Sequence, residues 1–170
     1  SLILAEKKYE VNGEKCFYFS ELFLECRAPL SQKSKLDIVT RAVDQVAKKY
    51  YGDEDAQKKM EIKDIICNEL EEQGEIKVSE LREKVFPGSP EMLEELDEKL
   101  DRYNLSYETV APKNEQTIKK FQKQKLYTDT GIEITIPMEE YRNPDHVEFI
   151  TNMDGTISVL IKNIGMLSSK

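Results

Sequence analysis

The sequence predicts an α+β protein with a helical middle of about four to five helices and antiparallel β-hairpins at its N- and C-terminal ends. Apolar residues recur at steps of three and four through the middle of the chain, which is typical of amphipathic helices. Near both ends they alternate with polar residues around turn-forming pairs, which is typical of hairpin strands. Strands do not alternate with helices along the chain, which argues against a parallel β-α-β arrangement.

A hairpin is predicted at the N-terminus around Asn12-Gly13, because this pair suits the two positive-φ positions of a type I′ turn. Residues 21–30 show no clear pattern. The chain begins at Ser1 without an initiator methionine and enters a strand-like stretch at once. This start predicts a piece of a longer protein, with part of the function upstream.

Two long helices are predicted next. Residues 34–51 carry one apolar stripe, and Gly52 ends the helix because glycine accepts a left-handed conformation. Residues 54–73 carry a second stripe that ends at Gly74, with Asp53 as the expected N-cap.

Two shorter helices and an extended stretch follow. Residues 79–85 form a short helix before Pro87-Gly88, and Ser89-Pro90 starts another, with serine as the N-cap and proline at the first helical position. The predicted buried face of this helix consists of Leu93, Leu96, Leu100 and Tyr103. Residues 105–110 are predicted to be extended.

The C-terminal part combines a basic helix with a small antiparallel sheet. Asn114 is the expected N-cap of a helix through about residue 125, with Ile118 and Phe121 facing inward and lysines outward. Isoleucines then alternate with polar residues along residues 132–136, and a second hairpin surrounds residues 152–155. Its predicted inward face consists of Ile157, Val159 and Ile161. The chain therefore divides into an N-terminal hairpin region (1–30), a helical region (31–112) and a basic helix with a small sheet (113–170).

Charge is uneven within a net charge of −8. Residues 53–101 hold 17 acidic and 7 basic residues, whereas residues 113–125 hold five lysines against Glu115. Overall acidity argues against a general polyanion binder but allows a local basic surface. No apolar run approaches the roughly 20 residues that span a bilayer, so no membrane partner is predicted. The three scattered cysteines, Cys16, Cys26 and Cys67, predict reduced thiols and a cytoplasmic protein.

Catalytic chemistry is not indicated, so the chain is predicted not to be an enzyme. His146 lies in a turn-like run without a nucleophile motif, and no phosphate-binding glycine loop occurs. A metal site built from Asp129, Glu133 and Asp154 is disfavoured, because Asp154-Gly155 is explained by turn formation. No catalytic residue, metal or cofactor is predicted.

Basic residues supply the candidate DNA contacts, since a lysine neutralises a phosphate without reading sequence. The helix at residues 90–103 follows two others as in a helix-turn-helix, but its six acidic against two basic residues would repel phosphates. The candidate DNA-binding residues come from two basic segments: Lys113, Lys119, Lys120, Lys123, Lys125, Arg41, Lys48 and Lys49.

Three C-terminal segments resemble one known family. They are YTDTGIEITIP at residues 127–137, VEFI at 147–150 and DGTISVLIKNI at 154–164. Together they are similar to the ending of the bacterial 37-kDa nucleoid-associated protein family in its Gram-positive form. The resemblance implies a non-catalytic cytoplasmic protein of the nucleoid, with a longer N-terminal part.

The resulting hypothesis is a nucleoid-associated protein that contacts double-stranded DNA, with little sequence preference, through the lysine-rich helix. The alternative is a protein-interaction or dimerisation module that binds itself or other nucleoid proteins and makes no direct DNA contact in this part of the chain. Its acidic helices would then suit a basic partner.

Overall fold

A computed structural model describes residues 8–11, 14–17, 29–52 and 55–169. The chain divides into two compact units, residues 1–31 and residues 32–170. Helices and antiparallel hairpins make up the second unit, which confirms the predicted α+β class. The finer division at residue 112 stays a prediction.

The first unit contains one described hairpin. Strands β1 (Lys8–Val11) and β2 (Glu14–Phe17) pair antiparallel, with Val11 opposite Glu14. This register leaves a two-residue connection, as a tight hairpin requires. The connecting Asn12-Gly13, residues 18–28 and the side chains of the strands lie outside the described residues.

The second unit contains six described helices and three two-stranded sheets. Its helices are α1 (Gln32–Tyr51), α2 (Ala56–Gln73), α3 (Val78–Val85), α4 (Pro90–Asp101), α5 (Glu115–Lys119) and α6 (Met138–Tyr141). Its strands are β3 (Ile76–Lys77), β4 (Thr109–Val110), β5 (Lys123–Tyr127), β6 (Glu133–Pro137), β7 (Val147–Thr151) and β8 (Ile157–Ile161). The paired strands are β3 with β4, β5 with β6, and β7 with β8. Among the described helices, none has the length and apolar character that crossing a membrane would need.

Helices α1 to α4 enclose the core. Their apolar stripes meet around Phe86, which is fully buried in the turn between α3 and α4. Gly52 and Gly74 end the first two helices with φ of +89° and +69°, a region that residues with a Cβ rarely adopt, so both predicted stops are confirmed. Strands β3 and β4 close this helical part through the pairing of Ile76 with Val110. A two-residue strand such as β3 carries too little periodicity for the sequence to predict.

Helix α2 begins two residues later than expected. Its N-cap is Asp55, whose carboxylate accepts a hydrogen bond from the backbone N–H of Lys58 at 3.0 Å. The prediction of Asp53 as N-cap is therefore wrong, and Asp53 itself lies outside the described residues. Asp53 and Asp55 are both favourable N-cap residues, so the local sequence does not distinguish between them.

The predicted buried face of α4 is partly wrong. Met92, Leu96 and Leu100 are buried, whereas Tyr103 is 51 % exposed. The helix ends at Asp101, and Asn104 then takes a positive φ of 54°. This turn directs Leu105 into the core in place of the tyrosine.

The C-terminal hairpins also differ from expectation in burial. Strand β6 ends at Pro137 as predicted, with Ile136 buried. The expected inward face of β8 is wrong, because Ile157 and Ile161 are 49 % and 56 % exposed. Of the three residues on that predicted face, only Val159 is half-buried, and it lies opposite Phe149 of β7.

Candidate nucleic-acid interface

The predicted lysine-rich helix is much shorter than expected. Helix α5 begins after Asn114, whose side chain accepts a hydrogen bond from the N–H of Gln116, but it ends at Lys119. Residues 123–127 instead form β5, paired with β6 so that Lys125 lies opposite Thr135. The prediction of a helix through residue 125 is therefore wrong.

Pairing with the next strand and a contact with α2 explain this change from helix to strand. Gln124 is 3 % exposed and donates from Nε2 to the backbone carbonyl of Met60 at 2.9 Å, so the residue between two lysines is anchored in the interior. A turn at residues 128–131 returns the chain, and Gly131 adopts a φ of +87° there. Lys123 and Lys125 consequently point to the same exposed side of β5.

Lys63 of α2 joins these two lysines. Its ammonium group donates to the backbone carbonyl of Lys123 at 2.6 Å, which places the Lys63 side chain against β5. Burial lowers the pKa of Lys63, and the positive charge of Lys125 lowers it further. We call Lys63, Lys123 and Lys125 the lysine cluster. Among the described residues, none of the three forms an ion pair with a carboxylate.

Sequence reasoning missed Lys63 because it lies in the strongly acidic segment 53–101. One signal was present: Lys59 and Lys63 are four residues apart and therefore share a face of α2. That face meets Asp44 of α1, where burial raises the pKa of the carboxyl group while the charges of Lys59 and Lys63 oppose the rise. An acidic residue thus borders the cluster on the α1 side.

The basic residues predicted on α1 differ in their surroundings. Lys49 forms an ion pair with Glu95 of α4 at 2.5 Å and lies 5.3 Å from the centre of the Tyr50 ring. Arg41 instead lines a groove between α1 and α4. Lys48 is exposed near the end of the helix. The α1 contribution to a cationic surface is therefore smaller than its composition indicates.

The remaining predicted lysines surround α5. Lys113 and Lys120 are exposed. Lys119 is 3.7 Å from Glu115, and both side chains are largely solvent-exposed at 67 % and 86 %. Such an exposed pair stabilises by at most about 1 kcal/mol, so Lys119 remains available to another anion.

A comparison with models of known protein families identifies the family of the chain. The family model described as nucleoid-associated protein YejK matches residues 2–166. The chain belongs to this family. No curated protein and no solved structure matches it.

Membership confirms the resemblance seen at the C-terminus and places the protein among bacterial nucleoid proteins. The three segments that carry the resemblance fall on the hairpins β5–β6 and β7–β8. The YejK family is described by its association with the nucleoid and not by a reaction, so membership assigns no catalytic residue to this chain.

Two residues considered for catalysis or metal binding have structural roles in this YejK-family chain. His146 is bonded to Glu140 through Nδ1, and its side chain is 45 % exposed. Asp154 accepts hydrogen bonds from the N–H and the hydroxyl of Thr156 at 2.9 and 2.6 Å, which lower its pKa. Within the described ranges, no group of three potential metal ligands occurs.

Proposed function

We propose that this nucleoid protein contacts double-stranded DNA, with little sequence preference, through a surface centred on the lysine cluster. The observation that supports this proposal is the hydrogen bond from Lys63 to the carbonyl of Lys123. It attaches the Lys63 ammonium group to β5, whose exposed face carries Lys123 and Lys125. Three such charges suit the regular phosphates of a duplex and carry no base-reading geometry.

Neighbouring lysines extend this surface along the chain. Lys119 and Lys120 precede β5 by three to four residues, and Lys113 precedes α5. Arg41, Lys48 and Lys49 of α1 complete the proposed DNA-binding set, although Lys49 must exchange Glu95 for a phosphate in order to take part. The groove of α4 that is lined by Glu94, Asp97, Glu98 and Asp101 would face away from the duplex, because its carboxylates repel phosphates.

Duplex binding at several salt concentrations tests the proposal. Each lysine that neutralises a phosphate adds about 0.9 to the slope of log affinity against log salt concentration. The triple variant Lys63→Gln, Lys123→Gln and Lys125→Gln should therefore flatten the slope by roughly 2 to 3 units between about 50 and 200 mM salt. Fluorescence anisotropy with two unrelated duplex sequences measures slope and sequence preference together.

A charge-matched control distinguishes the surface from net charge. Lys58, Lys77 and Lys162 are paired with Glu61, Glu80 and Glu148 respectively, so replacing all three with glutamine removes the same charge elsewhere. If both triple variants flatten the salt dependence of duplex binding equally, the lysine cluster is refuted as the DNA contact. If the unaltered protein fails to bind duplex at low salt, DNA contact itself is refuted. Sedimentation over a range of protein concentrations then tests the alternative, a dimerisation module, by measuring whether the protein associates with itself.

A further inference from the structure

A groove between α1 and the end of α4 gathers positive charge around one aromatic ring. Its volume is about 260 Å³. One wall is a stripe along α1, and the other consists of residues in and just after the last turn of α4. The lining residues are Ile38, Arg41, Ala42, Gln45, Lys99, Arg102 and Tyr103.

The two arginines of this groove differ from the other arginines of the described chain. The Arg82 and Arg142 side chains are each bonded to two carboxylates. By contrast, Arg41 and Arg102 form no side-chain hydrogen bond or ion pair with any described residue. An unpaired guanidinium retains all five of its N–H donors. The groove thus presents two unpaired guanidinium groups in a protein of net charge −8.

The acidic residues of α4 do not cancel this charge. Asp97, Glu98 and Asp101 line a separate groove, although Glu98 lies one turn before Arg102 and its charge also acts on Lys49 of α1. Glu95 approaches Lys99 at 3.8 Å, but it also binds Lys49, so its single negative charge is shared between two ammonium groups. The lining of the groove itself contains three cationic residues and no acidic one.

Phosphate is the anion that this arrangement fits best. Guanidinium groups bind phosphate oxygens through two parallel hydrogen bonds, and the Gln45 amide supplies a further donor. Tyr103 presents a half-exposed ring on which a nucleobase can stack. The volume lies below the roughly 300–1,000 Å³ of pockets that enclose a drug-sized ligand, which suits a phosphate group with its base lying over the rim.

We infer that this groove binds the phosphate group of a nucleotide, with Arg41 and Arg102 holding the phosphate oxygens and Tyr103 stacking on the base. A free nucleoside monophosphate and the 5′-phosphorylated end of a single strand both supply this chemistry. Binding here does not require the lysine cluster, although Arg41 belongs to both proposed sites.

Calorimetric titration of the whole protein tests this inference. Adenosine monophosphate should bind more tightly than inorganic phosphate, because only the nucleotide engages Tyr103, and adenosine should bind more weakly than the monophosphate. Arg102→Gln and Arg41→Gln should each weaken nucleotide binding by about tenfold to a hundredfold, as expected for loss of charge-assisted hydrogen bonds. Tyr103→Leu should weaken binding of the monophosphate but leave that of inorganic phosphate unchanged.

Lys33→Gln is the matched control, because it removes an exposed positive charge from α1 outside the groove. Equal effects of Lys33→Gln and Arg41→Gln, or undetectable binding of the monophosphate, would overturn the inference. Competition by a 5′-phosphorylated single strand, but not by its unphosphorylated form, would identify a strand end as the source. Monophosphate binding without such competition would identify a free nucleotide. The lysine-cluster variant should bind the monophosphate normally, so failure of duplex binding alone would refute only the proposed function.

Discussion

Replacing Arg142 with methionine should loosen the attachment of the C-terminal hairpins to α2. The guanidinium bonds the carboxylates of Asp64 at 2.6 Å and Glu71 at 2.9 Å, both on α2. About a third of each of these side chains is solvent-exposed, so water screens both pairs. Each pair then contributes about 0.5–1 kcal/mol, and their loss should reduce the free energy of unfolding by roughly 1–2 kcal/mol.

Urea unfolding followed by circular dichroism measures this loss. For a unit of this size, a decrease in Tm of roughly 3–8 °C should accompany it. Lys120→Met provides the control, because Lys120 is exposed and forms no ion pair with another described residue. An Arg142→Met effect no larger than that of the control would refute the reasoning.

The pH dependence gives an independent check on the same pairs. The hydrogen bond from Arg142 holds the pKa of Glu71 below its ordinary value. A carboxyl group whose folded-state pKa is depressed contributes stability above its unfolded pKa of about 4.3, and this stability is lost as pH falls through the folded-state value. The stability difference between the unaltered protein and Arg142→Met should therefore be complete at neutral pH and shrink below about pH 4. A difference that stays constant into acid would contradict the assignment.

Two further predictions concern buried groups near the lysine cluster. Gln124→Leu should destabilise the protein by about 0.5–1.5 kcal/mol in thermal unfolding, because the Met60 carbonyl keeps its bond within α2 but loses the additional bond from Gln124; a stability equal to that of the unaltered protein would contradict that role. Burial raises the pKa of the Cys67 thiol to about 11, so it should react with a thiol reagent at pH 8 only after unfolding in urea; rapid labelling of the folded protein at this position, tracked by mass spectrometry, would show that the thiol is accessible.

The sequence predicted α1 best, because its apolar positions repeat at helical spacing and a glycine marks its end. Leu36, Val39, Val43 and Val46 repeat at helical spacing up to Gly52, and local preference and tertiary packing agree there. Residues 120–127 lack such agreement. Exposed lysines fit the outer face of a helix and of a strand equally well, and pairing with the next strand, at residues 133–137, decides between the two.

The candidate interface was predictable only in part, for the same reason. Lys123 and Lys125 stood out by composition, whereas Lys63 reaches them through a contact 60 residues away in the chain. The sequence identified Arg41 as a basic residue. The groove that Arg41 lines could not be predicted, because it depends on where α4 ends and on the exposed position of Tyr103. Long-range pairing and helix termination set these positions, and neither leaves a clear local pattern.

The separation of charge across α4 has a consequence before any contact forms. Four carboxylates and the Arg82 guanidinium line one groove of this helix, whereas three cationic groups and no carboxylate line the other, and this uneven distribution gives the second unit an electric moment there. In the field of a large anion this moment experiences a torque that favours one orientation. Even with an unfavourable total charge, encounters with such an anion are therefore biased toward the cationic side, and added salt should slow productive encounters by weakening that alignment.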